Sequence, residues 1–307
     1  MRFKNFSEVI QKAQTEHPLP ISIAQAHDVE VLKAVQEAVE LGLIEPLFVG
    51  DREKTIELAE KLSFDLHPFK LYHASGEDEA CFLATELAST GRAKAIMKGL
   101  ANSTPFLKGV LHKELKLKSN RLISHLSAFE IPGFDRIVYM TDGGLNIQPS
   151  IEQKKEIIVN ASLFLHTIGL MEPRVALLAA NERMNPKMPV TGEAQEITRF
   201  FEREYPKSLL IEGPLPLDLA ISETSLLHKG LVSKLDGKAD LLVVPTIEAG
   251  NIFGKAITYF AGGTMAGIVL GAKVPLILNS RSDSSKAKLA SIALAVVSSY
   301  KCETSTV

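Results

Sequence analysis

GKADLLVVPTIEAGNIFGKAITYFAGGTMAGIVLGAKVPLILNSRSDSSKAKL, residues Gly237–Leu289, decides how the rest of this 307-residue chain is read. Asp240–Val244 and Val274–Leu278 are short apolar runs with the length and composition of buried strands. A polar, small-residue segment follows each at once: Pro245–Asn251 after the first and Asn279–Ser284 after the second. The glycine-rich stretch between them, from about Phe253 to Leu270, reads as a helix. Strand, polar loop and helix in that order are the unit of a parallel α/β sheet, whose ligands bind beyond the carboxyl ends of the strands.

The same alternation runs outward through the chain. Ile21–Ala24, Pro46–Val49, Lys70–His73 and Ala95–Met97 read as strands, and amphipathic helices of ten to eighteen residues separate them in the expected pattern. Arg121–Phe129, Ile137–Met140, Arg174–Ala179 and Leu209–Glu212 continue it, and Ser285–Val297 reads as the last helix before a tail from Lys301. The chain is therefore α/β, and its strand number suits two three-layer α/β/α lobes better than one. The best local break is the Ile131-Pro132-Gly133 turn within Ala128–Phe134.

Composition removes several classes of function. Hydrophobic residues make up 46% and charged residues 23%, with a net charge of -2, which gives no basic footprint for nucleic acid. No apolar run reaches membrane-spanning length, and the first residues lack a secretory apolar core, so the cytoplasm is the expected location. Two cysteines, Cys81 and Cys302, make no disulfide framework or zinc spacing. No P-loop, GxGxxG turn or GxSxG elbow is present.

The chemistry-bearing residues lie in the loops. Lys98, before Ser103 and Thr104 at a helix start, is placed either to bind an anion or to sit solvated beside a turn. Gly250 allows close backbone approach, and Asn251 offers donor and acceptor. Arg281, flanked by Ser280 and Ser282, suits a phosphate or carboxylate. Asp283 is either a base or the N-cap of the last helix. Cys81 reads as a buried hydrophobe within a helix, and His125, near Ser124 and Ser127, either as a base beside a serine or as a structural strand histidine. Asp142 and Asp218 each follow a strand, too far apart in sequence to name a metal site.

Several blocks resemble the phosphate acetyltransferase/phosphate butyryltransferase family: Met97–Leu111, Thr141–Ala161, Val175–Ala194, Glu212–Ser222 and the run from Glu248 through the last helix. The length and the Arg121–Gly133 segment look most like the butyryltransferase branch. The resemblance implies reversible transfer of a short acyl group, butyryl favoured, between acyl-CoA and inorganic phosphate, giving acyl phosphate and CoA. It implies a fold like isocitrate and isopropylmalate dehydrogenases. One lobe would comprise residues 1–128 with 279–307. The other, 129–278, would form the dimer, and the cleft between the lobes would be the active site. Ser280 and Arg281 match the family's phosphate-binding pair, Asp283 stands nearest as the base, and Gly250, Asn251, Lys98, Ser103 and Thr104 match cleft positions for substrate. The family's acetyltransferase branch carries its base a few residues further along. No metal and no resident cofactor are implied; CoA enters as substrate. An acetyl-specific enzyme, or a non-catalytic phosphate- or CoA-binding protein, would share the same scaffold.

Overall fold

A computed structural model describes residues 2–299. Cys302 and the tail from Lys301 lie outside the described residues. The described chain divides into two compact units: residues 5–121 with 266–299, and residues 2–4 with 122–265.

In chain order the first unit opens with α1 (Phe6–Ala13), β1 (Leu19–Ala24), α2 (Val29–Glu40), β2 (Ile44–Gly50), α3 (Arg52–Lys61), β3 (Lys70–His73), α4 (Glu77–Ser89), β4 (Ala95–Lys98) and α5 (Ser103–Val110). The second unit holds β5 (Ser124–Glu130), β6 (Val138–Thr141), α6 (Ile151–Thr167), β7 (Arg174–Leu178), α7 (Pro189–Glu204), β8 (Leu210–Leu215), α8 (Leu217–Ile221), α9 (Glu223–Lys229), β9 (Leu241–Val243) and α10 (Ile247–Phe260). The chain then returns through β10 (Thr264–Leu270), β11 (Leu276–Ile277) and α11 (Ser285–Ser299).

Local chemistry sets these boundaries. Asp28 accepts from the Val31 N–H at 2.9 Å and Asp51 from the Lys54 N–H at 3.1 Å, so α2 and α3 start where a cap side chain satisfies an orphan amide. Ser150 and Gln153 form a capping box at α6. β1 is almost wholly buried because strands pair on both its edges and α4 packs on it.

The region Phe253–Leu270, read from sequence as one helix, is a helix and a strand. α10 begins earlier, at Ile247, and stops before Gly262-Gly263. Thr264–Leu270 is then extended and pairs antiparallel with β11. The two glycines are helix stops, and the β-branched Ile268 and Val269 beyond them favour the strand. The segment 217–229 is likewise two short helices, broken at Ser222. The contact boundaries, 121/122 and 265/266, stand beside the 128/129 and 278/279 drawn from the family resemblance.

The first unit's strands run β3-β2-β1-β4-β11-β10, parallel throughout except for the β11–β10 pair. The second unit's run β5-β6-β9-β7-β8, with only β5–β6 antiparallel. Because β11 lies parallel to β4, its carboxyl end and those of β1, β2, β3 and β4 open on one edge of the sheet. Helix α11 packs with α1 and α2, and α4 packs with α5.

Candidate active site

The loops beyond that edge enclose a cavity of about 340 Å³, lined in part by Gln25, His27, Lys54, Glu77, Leu100 and Arg281. Two backbone features let the loops meet. Gln25 adopts φ 56°, which turns the chain sharply after β1. Gly99, after β4, lies directly on that turn: a Cβ there would stand 2.3 Å from the Gln25 carbonyl oxygen. Its N–H donates to the Ala24 carbonyl at 2.8 Å, and the Leu100 N–H donates to Gln25 at 2.9 Å. The β4 loop is thereby fixed to the β1 loop.

Asn279–Asp283, after β11, forms a tight turn. The Asp283 carboxylate accepts from the Ser280 N–H at 2.8 Å and from the Asn279 amide at 3.3 Å, both at Oδ2. The Ser280 and Ser282 hydroxyls lie 3.0 Å apart. Asp283 does not cap α11: Ser284 does, its Oγ accepting from the Ala287 N–H at 3.3 Å. The neighbouring Ser285 N–H donates to Glu30 at 2.8 Å. Of the two sequence readings of Asp283, the cap is excluded, because the side chain turns back onto its own loop.

Three cations surround this turn. Arg281 is exposed, and its Nη2 donates to the Asn102 carboxamide oxygen. Lys98 is buried, donating to the Ala101 carbonyl at 2.9 Å. Lys288 is buried under the turn and donates to the Asp283 carbonyl. Burial pulls the Lys98 ammonium below the ordinary lysine range, repulsion from Arg281 and Lys288 lowers it further, and attraction from Asp283 opposes them. Of the two readings of Lys98, the solvated one is excluded.

Of the residues singled out from sequence, the first unit therefore brings Lys98, Ser280, Arg281 and Asp283 together. Ser103 and Thr104 are exposed on the first turn of α5, next to Asn102. Gly250 and Asn251 belong to the second unit. They lie inside α10 rather than before a helix starting at Phe253, with Asn251 exposed. A Cβ on Gly250 would stand 2.6 Å from the Gly143 Cα, so two glycines let α10 rest on the loop after β6. That loop is organised by Asp142, whose carboxylate accepts from the N–H groups of His125, Gly144 and Leu145 and from the Asn146 amide. Asp142 is a structural hub with its lone pairs occupied, and His125 is buried beside it.

Sequence reasoning missed Asn102, Glu77 and Lys288. Lys288 shows a signal in hindsight, since it is a lysine on the apolar-flanked side of α11. Cys81 is buried and its thiol is pushed up to about 12, chiefly by burial and then by Glu77 and Asp78, which leaves it no nucleophilic role. Among the described residues no cluster of metal-ligating side chains occurs, and no helix is long and apolar enough to cross a membrane.

The site can bind a small oxyanion against a guanidinium and a hydroxyl while a carboxylate stands beside it. Comparison with known proteins is consistent with this chemistry. The family model described as "Phosphate acetyl/butaryl transferase" matches residues 76–296. A phosphate butyryltransferase of Clostridium acetobutylicum is 37% identical over 294 residues, 96% of this chain and 98% of the relative. A crystal structure of a branched-chain phosphotransacylase from Enterococcus faecalis V583 superposes with a TM-score of 0.83 at 34% identity, covering 92% of this chain and 99% of the other. A 4-hydroxythreonine-4-phosphate dehydrogenase from Burkholderia phymatum has a TM-score of 0.53 at 15% identity over 93% and 98% of the two chains, a likeness of fold alone. That likeness is to the isocitrate/isopropylmalate dehydrogenase-like α/β architecture expected from the sequence. With a family match over most of its length and near-complete coverage by a relative above 30% identity, the chain belongs to the phosphate acetyl/butaryl transferase family, enzymes that exchange an acyl group between CoA and phosphate.

Proposed function

We propose that the enzyme moves a short acyl group, butyryl by preference, between acyl-CoA and inorganic phosphate, at the turn that carries Ser280, Arg281 and Asp283. The observation that carries this reading is the grouping of Lys98, Arg281 and Lys288 around that turn. A phosphate dianion finds there a planar guanidinium, two hydroxyls and a positive potential. In the direction of acyl phosphate synthesis a phosphate oxygen attacks the thioester carbonyl. The C–S bond then breaks, and CoA leaves as a thiolate that takes up a proton. Arg281 and Ser280 hold phosphate and offset the negative charge that develops. In reverse, Asp283 accepts the thiol proton before sulfur attacks the acyl phosphate. Gly250, Asn251, Lys98, Ser103 and Thr104 are assigned to substrate contacts.

Butyryl is favoured by the phosphate butyryltransferase from Clostridium acetobutylicum. A branched chain is the second reading, favoured by the solved Enterococcus structure. We place the enzyme in the cytoplasm and assign it a homodimer through the second unit. On α10, Ile252, Tyr259 and Phe260 share one face and are exposed, Phe260 at 91%, a surface suited to a second copy.

The test is phosphate-dependent CoA release from acetyl-, propionyl-, butyryl-, isobutyryl- and longer acyl-CoAs. The expected optimum is butyryl-CoA. An acetyl or isobutyryl optimum sinks the butyryl preference, and no phosphate-dependent release with any of them sinks the transferase reading.

A further inference from the structure

Asn102 stands at the N-cap of α5, where asparagine ordinarily caps, yet its side chain makes no capping hydrogen bond. It bridges two groups from elsewhere in the first unit instead. Its Nδ2 donates to both oxygens of Glu77, at 3.0 Å and 3.2 Å, and its backbone N–H donates to the same carboxylate. Its Oδ1 accepts from Arg281 Nη2. Glu77 opens α4, Asn102 follows β4 and Arg281 follows β11, so three loops on the same edge of the sheet are joined through one carboxamide.

Chemistry fixes the direction of that amide. A carboxylate only accepts and a guanidinium only donates, so only one orientation satisfies both. Glu77 and Arg281 form no direct salt bridge: Arg281 occurs in no ion pair among the described residues. The neutral amide between them matters. A carboxylate placed directly on Arg281 would orient it and also compete with an incoming phosphate for the same donors. A carboxamide orients the fork without supplying a counter-charge. The rest of the Arg281 fork makes no other hydrogen bond among the described residues.

We propose that Glu77 and Asn102 are positioning residues that hold Arg281 for phosphate through a neutral relay; this rests on the reading that Arg281 binds phosphate. Asn102→Ala removes the relay. Glu77→Gln keeps an amide oxygen for the bonds made at Oε1 but removes the charge and sets an NH₂ group against the Asn102 NH₂ group where Oε2 stood, which weakens the relay. Each variant raises the phosphate KM about tenfold, the effect of one hydrogen bond to a charged group. The KM for acyl-CoA stays within roughly twofold.

The double variant Glu77→Gln with Asn102→Asp separates geometry from charge. The introduced glutamine oxygen accepts from the backbone N–H and its NH₂ group donates to the introduced carboxylate, which accepts from Arg281, so the chain of hydrogen bonds from residue 77 to Arg281 is re-formed. Arg281, however, now carries a counter-charge. The expected result is a melting temperature back at the wild-type value with the phosphate KM still raised about tenfold. Recovery of both quantities in the double variant overturns the neutral relay, because a purely structural tether behaves that way. An unchanged phosphate KM in both single variants, alongside a raised one in Arg281→Ala, overturns the positioning role alone. An unchanged phosphate KM in Arg281→Ala overturns the underlying phosphate reading, and this inference with it.

Discussion

On the proposed reading Asp283 has two separable duties, and its amide variant divides them. The carboxylate holds the turn by accepting from the Ser280 N–H at 2.8 Å and the Asn279 amide at 3.3 Å, both at Oδ2. Asparagine in its place keeps one carbonyl oxygen for the shorter of those bonds. It loses the charge that strengthened the bond and the basicity needed to take a thiol proton. The Ser280 bond is only partly buried, so the stability change of Asp283→Asn is set at roughly 1 kcal/mol or less. A lost general base costs about a hundredfold to ten-thousandfold in rate, roughly 3 to 5 kcal/mol on the barrier at 1.36 kcal/mol per tenfold. The two effects differ enough to be read apart.

The assay is acyl transfer from acyl phosphate to CoA, followed across pH, with denaturant unfolding alongside. Asp283→Asn is expected to unfold near the wild-type midpoint and to lose at least a hundredfold in kcat, in line with removal of a base. It should regain rate as rising pH ionises the CoA thiol in solution. Asp283→Ala is expected to show the same rate loss and a larger drop in stability, because the Ser280 N–H then has no acceptor. If Asp283→Asn turns over within a few-fold of wild type, as a neutral hydrogen-bonding role allows, Asp283 is a turn residue and the base lies elsewhere.

Arg281→Lys keeps the charge and loses the planar fork; we expect the phosphate KM to rise about tenfold with the melting temperature unchanged, checked by initial rates and calorimetry. Lys98 contributes a pH dependence of stability whose sign follows from its lowered pKa: between the folded value and the ordinary 10.5 the unfolded chain binds more protons, so this contribution stabilises the fold as pH rises through that window. Lys98→Met is expected to remove that upward contribution in alkaline denaturant titrations and to raise stability at neutral pH while lowering activity. Cys81, with its thiol near 12, should resist alkylation at pH 8 in a Cys302→Ser background, and activity should survive the reagent; rapid labelling measured by mass spectrometry would contradict its burial.

The strand–loop–helix alternation was legible because period and turn chemistry are local properties. Asp28, Asp51 and Ser150 each cap a helix through a bond that spans three residues, so the sequence carries both partners side by side. The misreading of Phe253–Leu270 shows where locality ends. Gly262-Gly263 permits a helix-packing stripe or a helix stop, and the choice is made by β11, whose pairing with Ile268 and Val269 gives the second half of the segment its ladder bonds. Tertiary pairing overrode a pattern that was ambiguous by itself.

The site divides along the same line. Lys98, Ser280, Arg281 and Asp283 could be singled out because each stands at or just beyond the carboxyl end of a strand, and in a parallel sheet the loops after the strands share an edge. Glu77 and Asn102 were not found because each has a sufficient local explanation: an acidic residue in a helix's first turn, and an asparagine at an N-cap. What makes them more than that is a contact across 25 residues and another across 179. The absence of a capping bond at Asn102 can be seen only once the structure shows where the side chain went. A residue that satisfies a local rule in sequence and breaks it in the fold has been drawn to another partner. Here the partner is the arginine on which the proposed phosphate chemistry depends, and the residue drawn to it is neutral, which leaves the charge of that arginine for the substrate.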